Sequence, residues 1–350
     1  MVESSSSSLK VEPLKATHLS WLQATDQAAL LPRLQTCLFR GWISRAESLL
    51  PGVLISRQPL ALVASEHEQI RSLLVIRPHN REGSCWRLEL QQLTSPTEHS
   101  QGQIIRELIK LALLGAHTRS RSWILRCNET DSILLAVLRE LGFQPIRSFC
   151  RWRSPATPSD HDQTAWPDVS RWVAIDRRSA SLVWPLDQAS TTSHQRQIVD
   201  RRPEDLLDQR GPGTGILLSA SEETSGSSRA VAIAALVRQQ RCDEALVLEL
   251  LREPAWDERL DQGLAFMLAT VAKDHPQATL ICNSEDTTAK ERINALGWQQ
   301  LDNGLLLGRS LWRRQAAPRR LQATRPLESM LGRLQPQRPP LPTPSSARVE

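Results

Sequence analysis

A chain of 350 residues, 40% hydrophobic and 23% charged, with 15 glycines and 22 prolines, has the make-up of a globular protein of two domains of about 100–150 residues each. This composition excludes collagen, a coiled coil and wholesale disorder, and no stretch approaches the roughly 20 apolar residues of a membrane helix. The formal net charge of +5 is concentrated: from Ala317 onward six arginines face only Glu328 and Glu350, so the remainder is nearly neutral. A nucleic-acid-binding face is therefore not expected on the folded part.

The first residues lack the basic start and apolar core of a secretion signal. Cys37, Cys85, Cys127, Cys150, Cys242 and Cys282 form no CxxC pair, which fits reduced thiols in a cytoplasm better than a disulfide framework or a zinc site. The aromatic set is 11 Trp, 4 Phe and no Tyr, so no mechanism here uses a phenol as its acid.

In chain order, Ser20-Trp-Leu-Gln-Ala24 reads as a short strand, after which Thr25 or Asp26 caps a helix through Gln27-Ala-Ala-Leu-Leu. Pro59–Ala64 and Arg71–Arg77 read as neighbouring strands. Arg87–Leu93 alternates, with Leu88 and Leu90 on one face and Glu89 on the other. Gln103–Leu114 carries an apolar helical stripe of Ile104, Ile105, Leu108, Leu111 and Ala112. Trp123–Arg126 is a strand, Asp131 caps a helix ending at Leu141, and Gly142 stops it. Phe143–Trp152 is expected to close the unit with paired strands.

The same order then repeats. Cys127-Asn128, Asp131 and Leu141-Gly-Phe143 recur as Cys282-Asn283, Asp286 and Leu296-Gly-Trp298, 155 residues later at every matched position. Upstream, Trp86–Leu93 followed by Pro96 resembles Glu244–Leu251 followed by Pro254, which makes Glu249 a near-counterpart of Glu89. Gly211-Pro-Gly-Thr-Gly215 is a turn rather than a phosphate loop, because a strand and not a helix follows it. The tryptophans are spread singly and read as core and interface filler. His99 and His117 flank the Gln103–Leu114 helix and read as surface residues.

This pattern resembles the GNAT (Gcn5-related N-acetyltransferase) superfamily. Gln23–Leu30 looks like that family's first strand entering its first helix, and Cys127-Asn…Asp131…Leu141-Gly-Phe143 looks like its Asn, helix and Gly-Phe element. The resemblance implies an α/β protein of two tandem GNAT-like domains, each a central mixed sheet flanked by helices. They span 16–153 and 169–315, joined by a linker at 154–168 and followed by a disordered, basic, Pro-rich tail at 316–350. It implies acetyl-CoA or another acyl-CoA as cofactor, and N-acyl transfer to an unidentified amine through the first domain.

The cofactor residues would be Leu93, Thr94, Gln101, Gly102, Gln103 and Asn128, with Glu89 as the base. Backbone N–H groups at a helix N-terminus hold a pyrophosphate, and glycines let it approach. Here His99-Ser-Gln-Gly-Gln-Ile104 keeps Gly102 but has Ile104 at the second small position. The second copy, Pro254–Leu260, has no glycine and places Asp257 and Glu258 where phosphates would sit. The family's tyrosine acid is replaced by Leu138 and Ile293; Ser132 and Cys127 could donate a proton but read as a helix-start residue and a strand-end thiol. Asn128 and Asn283 also read as ties between backbone segments. The competing expectation is a catalytically inactive tandem scaffold that docks a protein partner through residues 317–350, with Leu327–Leu334 as a short amphipathic turn.

Overall fold

Period-two runs of Val, Ile, Leu and Ala build the strands, and capped stripes of Leu and Ile build the helices. The computed structural model describes residues 9–22, 24–48, 59–93, 99–115, 120–155, 170–219, 231–239, 246–256 and 258–311. All of them lie in one compact unit, Met1–Leu311. Thr94, His117, Asp257 and the whole 312–350 segment, including the Leu327–Leu334 turn, fall outside the described residues.

The first half runs β1 (Lys10–Pro13), a short 3-10 helix (Ala16–Trp21), α1 (Ala24–Ser48), β2 (Leu60–Glu66), β3 (Gln69–Pro78), β4 (Cys85–Gln92), α2 (Gln101–Leu114), β5 (Ser122–Asn128), α3 (Ser132–Glu140) and β6 (Gln144–Arg153). The second runs β7 (Ser170–Val173), α4 (Ala180–Ser190), α5 (Ser193–Val199), α6 (Pro203–Asp208), β8 (Gly215–Ser219), β9 (Ala232–Arg238), β10 (Val247–Arg252), α7 (Glu258–Asp274), β11 (Thr279–Asn283), α8 (Thr287–Ala295) and β12 (Gln299–Ser310).

The opening differs from its sequence reading. Ser20–Ala24 is not a strand: Trp21 ends the 3-10 helix, and the edge strand lies earlier, at Lys10–Pro13, pairing with β2 from Lys10↔Ser65 to Pro13↔Leu62. A four-residue edge strand is held by its partner rather than by its own pattern. The helix that follows already includes Thr25 and Asp26.

Among the described residues the strands form one sheet in the order β1-β2-β3-β4-β5-β12-β6-β11-β10-β9-β8-β7. The halves therefore do not keep separate sheets. Nor does β6 close the first half with paired strands of its own: it crosses over and pairs with β11, from Thr279↔Arg153 to Asn283↔Phe149. In return β12 pairs with β5, from Gly304↔Asn128 to Ser310↔Ser122. The exchanged strands pair with each other from Gln299↔Arg153 to Gly308↔Gln144. Asn128↔Gly304 and Asn283↔Phe149 are the same rung of two ladders, displaced by the 155-residue repeat. A pseudo-twofold thus passes between β6 and β12.

Gly304 sits where β5, β12 and β6 crowd together. A Cβ there would lie 2.5 Å from the Phe149 ring and 2.8 Å from the Cys127 carbonyl oxygen, so only glycine fits.

The exchange joins the cores. On the α2–α3 face, Trp86, Leu88, Leu108, Trp123, Leu125, Leu138 and Phe143 pack with Leu307 of the second half. On the α7–α8 face, Leu248, Leu264, Leu280, Ile293 and Trp298 pack with Cys150 and Trp152 of the first. In this second core the Cys150 and Cys282 sulfurs lie 3.1 Å apart, and Trp152 Nε1 donates to Cys150 Sγ at 3.2 Å. On the opposite face Cys85, Ile124, Phe149, Ile198, Val199, Val247, Ile281 and Leu306 fill the junction. There the β3–β4 turn docks on the α5–α6 segment: Asn80 Nδ2 donates to Asp200 O at 3.0 Å, Ser84 Oγ to Asp200 Oδ2 at 2.8 Å, and Arg81 N to Asp205 Oδ1 at 2.7 Å.

No described helix is long and apolar enough to cross a membrane.

Candidate functional site

In each half, two parallel strands joined by a helix part company midway. β4 and β5 pair from Cys85↔Ser122 to Leu88↔Leu125. Beyond that, β4 stays with β3 as far as Gln92, and β5 stays with β12 as far as Asn128. The result is a wedge at the C-terminal ends of parallel strands, where open α/β sheets place their ligands. In the second half β10 and β11 pair from Val247↔Thr279 to Glu249↔Ile281, and β10 then continues with β9 to Arg252. The rungs Leu88↔Leu125 and Leu248↔Leu280 correspond, which makes Glu89 the counterpart of Glu249 and Gln92 that of Arg252. The upstream sequence alignment is thus displaced by two residues.

Glu89 stands at the mouth of the first wedge, half-buried, on the face that carries Cys85 and Arg87. Its carboxylate is hydrogen-bonded to Arg33 Nη2 of α1 and lies 3.6 Å from Arg77 Nε of β3. Leu93 leaves β4 with its N–H bonded to Arg71 O at 3.0 Å. Ser100 caps α2 through a bond from Gln103 N to its hydroxyl at 3.3 Å. Gln101 and Gly102 then occupy the first helical positions, whose N–H groups have no partner within a helix. Gly102 faces α3, where a Cβ would meet Ile133 and Val137 at 3.6 Å, an ordinary contact.

Asn128 ends β5 and ties the turn that follows. Its Oδ1 accepts from Thr130 N at 3.0 Å and from Thr130 Oγ1 at 2.9 Å. Asp131 then caps α3 by accepting from Leu134 N at 3.0 Å, as Asp286 caps α8 by accepting from Ala289 N at 3.0 Å. Gly142 and Gly297, both at φ +80°, end these helices. Leu93, Gln101–Gln103 and Asn128 therefore gather at one end of the sheet, while Glu89 lies in the opening between the strands. Burial raises the Cys127 thiol to about 11, helped by the Asp131 charge, so it stays protonated at neutral pH. His99 is no bare surface residue: its ring nitrogen lies 3.6 Å from the buried Glu66, which also accepts from Arg71 Nε at 3.0 Å.

The second wedge is bridged. Arg252 reaches from β10 across to the cap of α8 and donates to Asp286 Oδ2 at 2.5 Å and Oδ1 at 2.7 Å. It also bonds Glu253 O at 2.6 Å and stacks 4.9 Å from the Trp256 ring. The first half has Gln92 and Asp131 at these places, and no described side chain spans them.

One group of residues escaped the sequence reading. Glu249, buried in the junction, accepts from Arg126 Nη2 at 3.1 Å, from Arg147 Nη1 at 2.9 Å and from Gln239 Nε2. Arg87 donates to Gln239 Oε1 at 2.8 Å, and Arg201 pairs with Asp187. Burial pushes the Glu249 carboxyl up, but the guanidiniums of Arg126, Arg147, Arg201 and Arg87 outweigh it and hold it at about 2. Burial also lowers Arg126 to about 9.

No family model and no curated protein matches the chain. Among solved structures it is similar to a GCN5-related N-acetyltransferase from Sphaerobacter thermophilus, at 12% identity over 86% of this chain and 95% of that one, with a TM-score of 0.46. It is also similar to a tandem GNAT protein from the clavulanic acid biosynthesis pathway, at 15% identity over 87% and 98%, TM-score 0.47. A third similar structure is a GNAT-family acetyltransferase from Colwellia psychrerythraea, at 8% identity over 86% and 100%, TM-score 0.40. At these identities and TM-scores the likeness says nothing of activity.

The arginines of the junction did leave a trace in the sequence. Arg87 and Arg126 sit in central strands between buried apolar neighbours, positions that are rarely charged without a partner. What hid them was the partner, since Glu249 lies more than a hundred residues away from Arg126 and Arg147.

Proposed function

We propose that the chain is an acyl-CoA-dependent N-acyltransferase that works through its first half, the second half being structural. The observation that carries this reading is the difference between the wedges: Arg252 ties the second to Asp286, whereas no described side chain bridges Gln92 to Asp131 in the first. The first wedge also fits the cofactor chemically. The N–H groups of Gln101 and Gly102 head α2 beside it, free of partners within the helix and so open to an anion. The backbone of Gln101, Gly102 and Gln103 would hold the pyrophosphate, and Leu93, Thr94 and Asn128 would edge the remainder. Bound there, an acyl-CoA supplies an activated thioester.

Glu89 takes the proton of the acceptor nitrogen in this reading. An amine that is forming an amide bond becomes acidic enough for a carboxylate, here one paired with Arg33 and Arg77, to accept its proton. The chain has no tyrosine, and Leu138 stands in that place. No protein acid is needed, since ordinary thiols ionise near 8.5 and water suffices.

Acetyl-CoA should raise the melting temperature saturably, and Gly102→Asp should remove that shift by placing a carboxylate at the helix head. Glu89→Gln should keep the shift and lose about 10²–10⁴-fold in turnover. No shift at millimolar acetyl-CoA would end the reading. A second reading, binding without chemistry, is favoured by the two guanidiniums that already occupy Glu89; it predicts the shift with no acyl transfer to any amine tried.

A further inference from the structure

The junction of the halves gathers buried charge. Arg87, Arg126, Arg147 and Arg201 are set against Glu249 and Asp187, with Asp200 and Asp205 close by. The Nε atoms of Arg126 and Arg147 are shielded from solvent and have no hydrogen-bond partner among the described residues. A buried donor left unmatched costs stability unless something compensates it.

Beside Arg126 lies a cavity of about 70 Å³ lined by Arg126, Asn128, Phe149, Arg151, Ile281 and Gly304. It has room for several waters or for one small oxyanion group. The Arg126 guanidinium lies 5.4 Å above the Phe149 ring, which fixes the plane of its fork. The second arginine of the lining, Arg151, is committed to Asp302 through a 2.6 Å bond from Nε, and Asn128 Nδ2 also points to Asp302 at 3.4 Å. That carboxylate at the rim penalises the charge concentrated on one phosphate group more than the single charge of each carboxylate group.

We propose that this cavity binds the carboxylate of a small organic acid, with Arg126 as its principal partner. Its extension to an acceptor rests on the acyltransferase reading: the acid would then be the amine substrate itself. Leu88↔Leu125 is the last paired rung, so Glu89 and Arg126 stand level across the opening. Both project to the face of Cys85 and Ile124, away from the α2–α3 core. A molecule anchored by its carboxylate on Arg126 would lie on the same face of the sheet as Glu89.

The test is calorimetric titration of the full chain with succinate, β-alanine, propylamine and inorganic phosphate, at an ionic strength fixed with chloride. Succinate and β-alanine should bind saturably, one per chain, with phosphate weaker and propylamine not at all. Arg126→Lys keeps the charge facing Glu249 but removes Nε and the fork, and should weaken succinate tenfold or more. Ile281→Phe, which fills the cavity without touching a charge, should do the same and keeps the test open should the lysine variant not fold. Gly102→Asp should bind succinate like the unaltered chain, so loss of the cofactor reading leaves this one standing. Succinate heats no different from chloride, phosphate binding tighter than succinate, or full affinity in a folded Arg126→Lys would each overturn the proposal.

Discussion

Glu249→Gln is expected to destabilise the chain by about 3–5 kcal/mol, because it removes the carboxylate that faces Arg126 and Arg147 and leaves both guanidiniums buried without a counter-charge. That is a large share of the roughly 5–15 kcal/mol that holds a typical domain folded. Urea denaturation at neutral pH measures it, with Glu140→Gln as the comparison. Glu140 pairs with Arg106 on the surface, and its loss should be far milder.

The same carboxylate sets an acid limb. Its folded pKa of about 2 lies below the ordinary 4.5, so its contribution is fully present above about pH 4.5 and fades as pH falls toward 2. The size of that limb is about 3 kcal/mol. His79 adds to it from higher pH. Burial, and then Arg87, Arg201 and Arg126, hold its ring well below 6.5, so below that pH the unfolded chain binds the proton that the folded chain refuses. Glu249→Gln should therefore flatten the stability profile between about pH 4.5 and 2 while leaving the His79 part near pH 6. A variant that melts with the parent, or keeps its full acid limb, would show that Glu249 does not hold the junction together.

What could be read from the sequence, and what could not, divides along the range of the interactions. The caps at Asp131 and Asp286 and the glycine stops at Gly142 and Gly297 are local, each decided within about four residues, and they carried the repeat and the GNAT resemblance. The strand expected at Ser20–Ala24 failed because a short edge strand owes its existence to a neighbour, here Leu62–Ser65 of β2. The partners of β6 and β12 were illegible for a different reason. Since the halves repeat, β5 and β11 offer these strands the same register, so Phe143–Trp152 fits either one equally well. For the candidate site, residues gathered by sequence neighbours, such as Gln101–Gln103, came together at one end of the sheet. The arginine partners of Glu249 did not come into view, because Arg126 and Arg147 meet it across more than a hundred residues and through no local pattern.

The exchange of β6 and β12 predicts that neither half folds alone. A fragment of residues 1–155 would lack the strand that covers β5, and it would lose Leu307, fully buried among Leu125, Leu138 and Phe143. An uncovered β5 presents its unpaired N–H and C=O groups as an open edge. The fragment 156–350 would lose Cys150 and Trp152 from its core and the cover of β11. Each should give a broad, non-cooperative melt and rapid proteolysis, whereas mixing the two in equal amounts should restore a sharp transition, since the exchanged strands need no peptide bond at 155–156 to find their places. Point changes should carry the same signature across the boundary: Leu307→Ala, in the second half, should cost about 2–5 kcal/mol, and Trp152→Ala, in the first, about 3–5 kcal/mol. In the intact chain each should lower a single shared melting transition rather than split it, because each core contains side chains from both halves. A 1–155 fragment that melts cooperatively as a monomer would mean that β6 can return to β5, and that the exchange is a choice the chain makes rather than a condition of its folding.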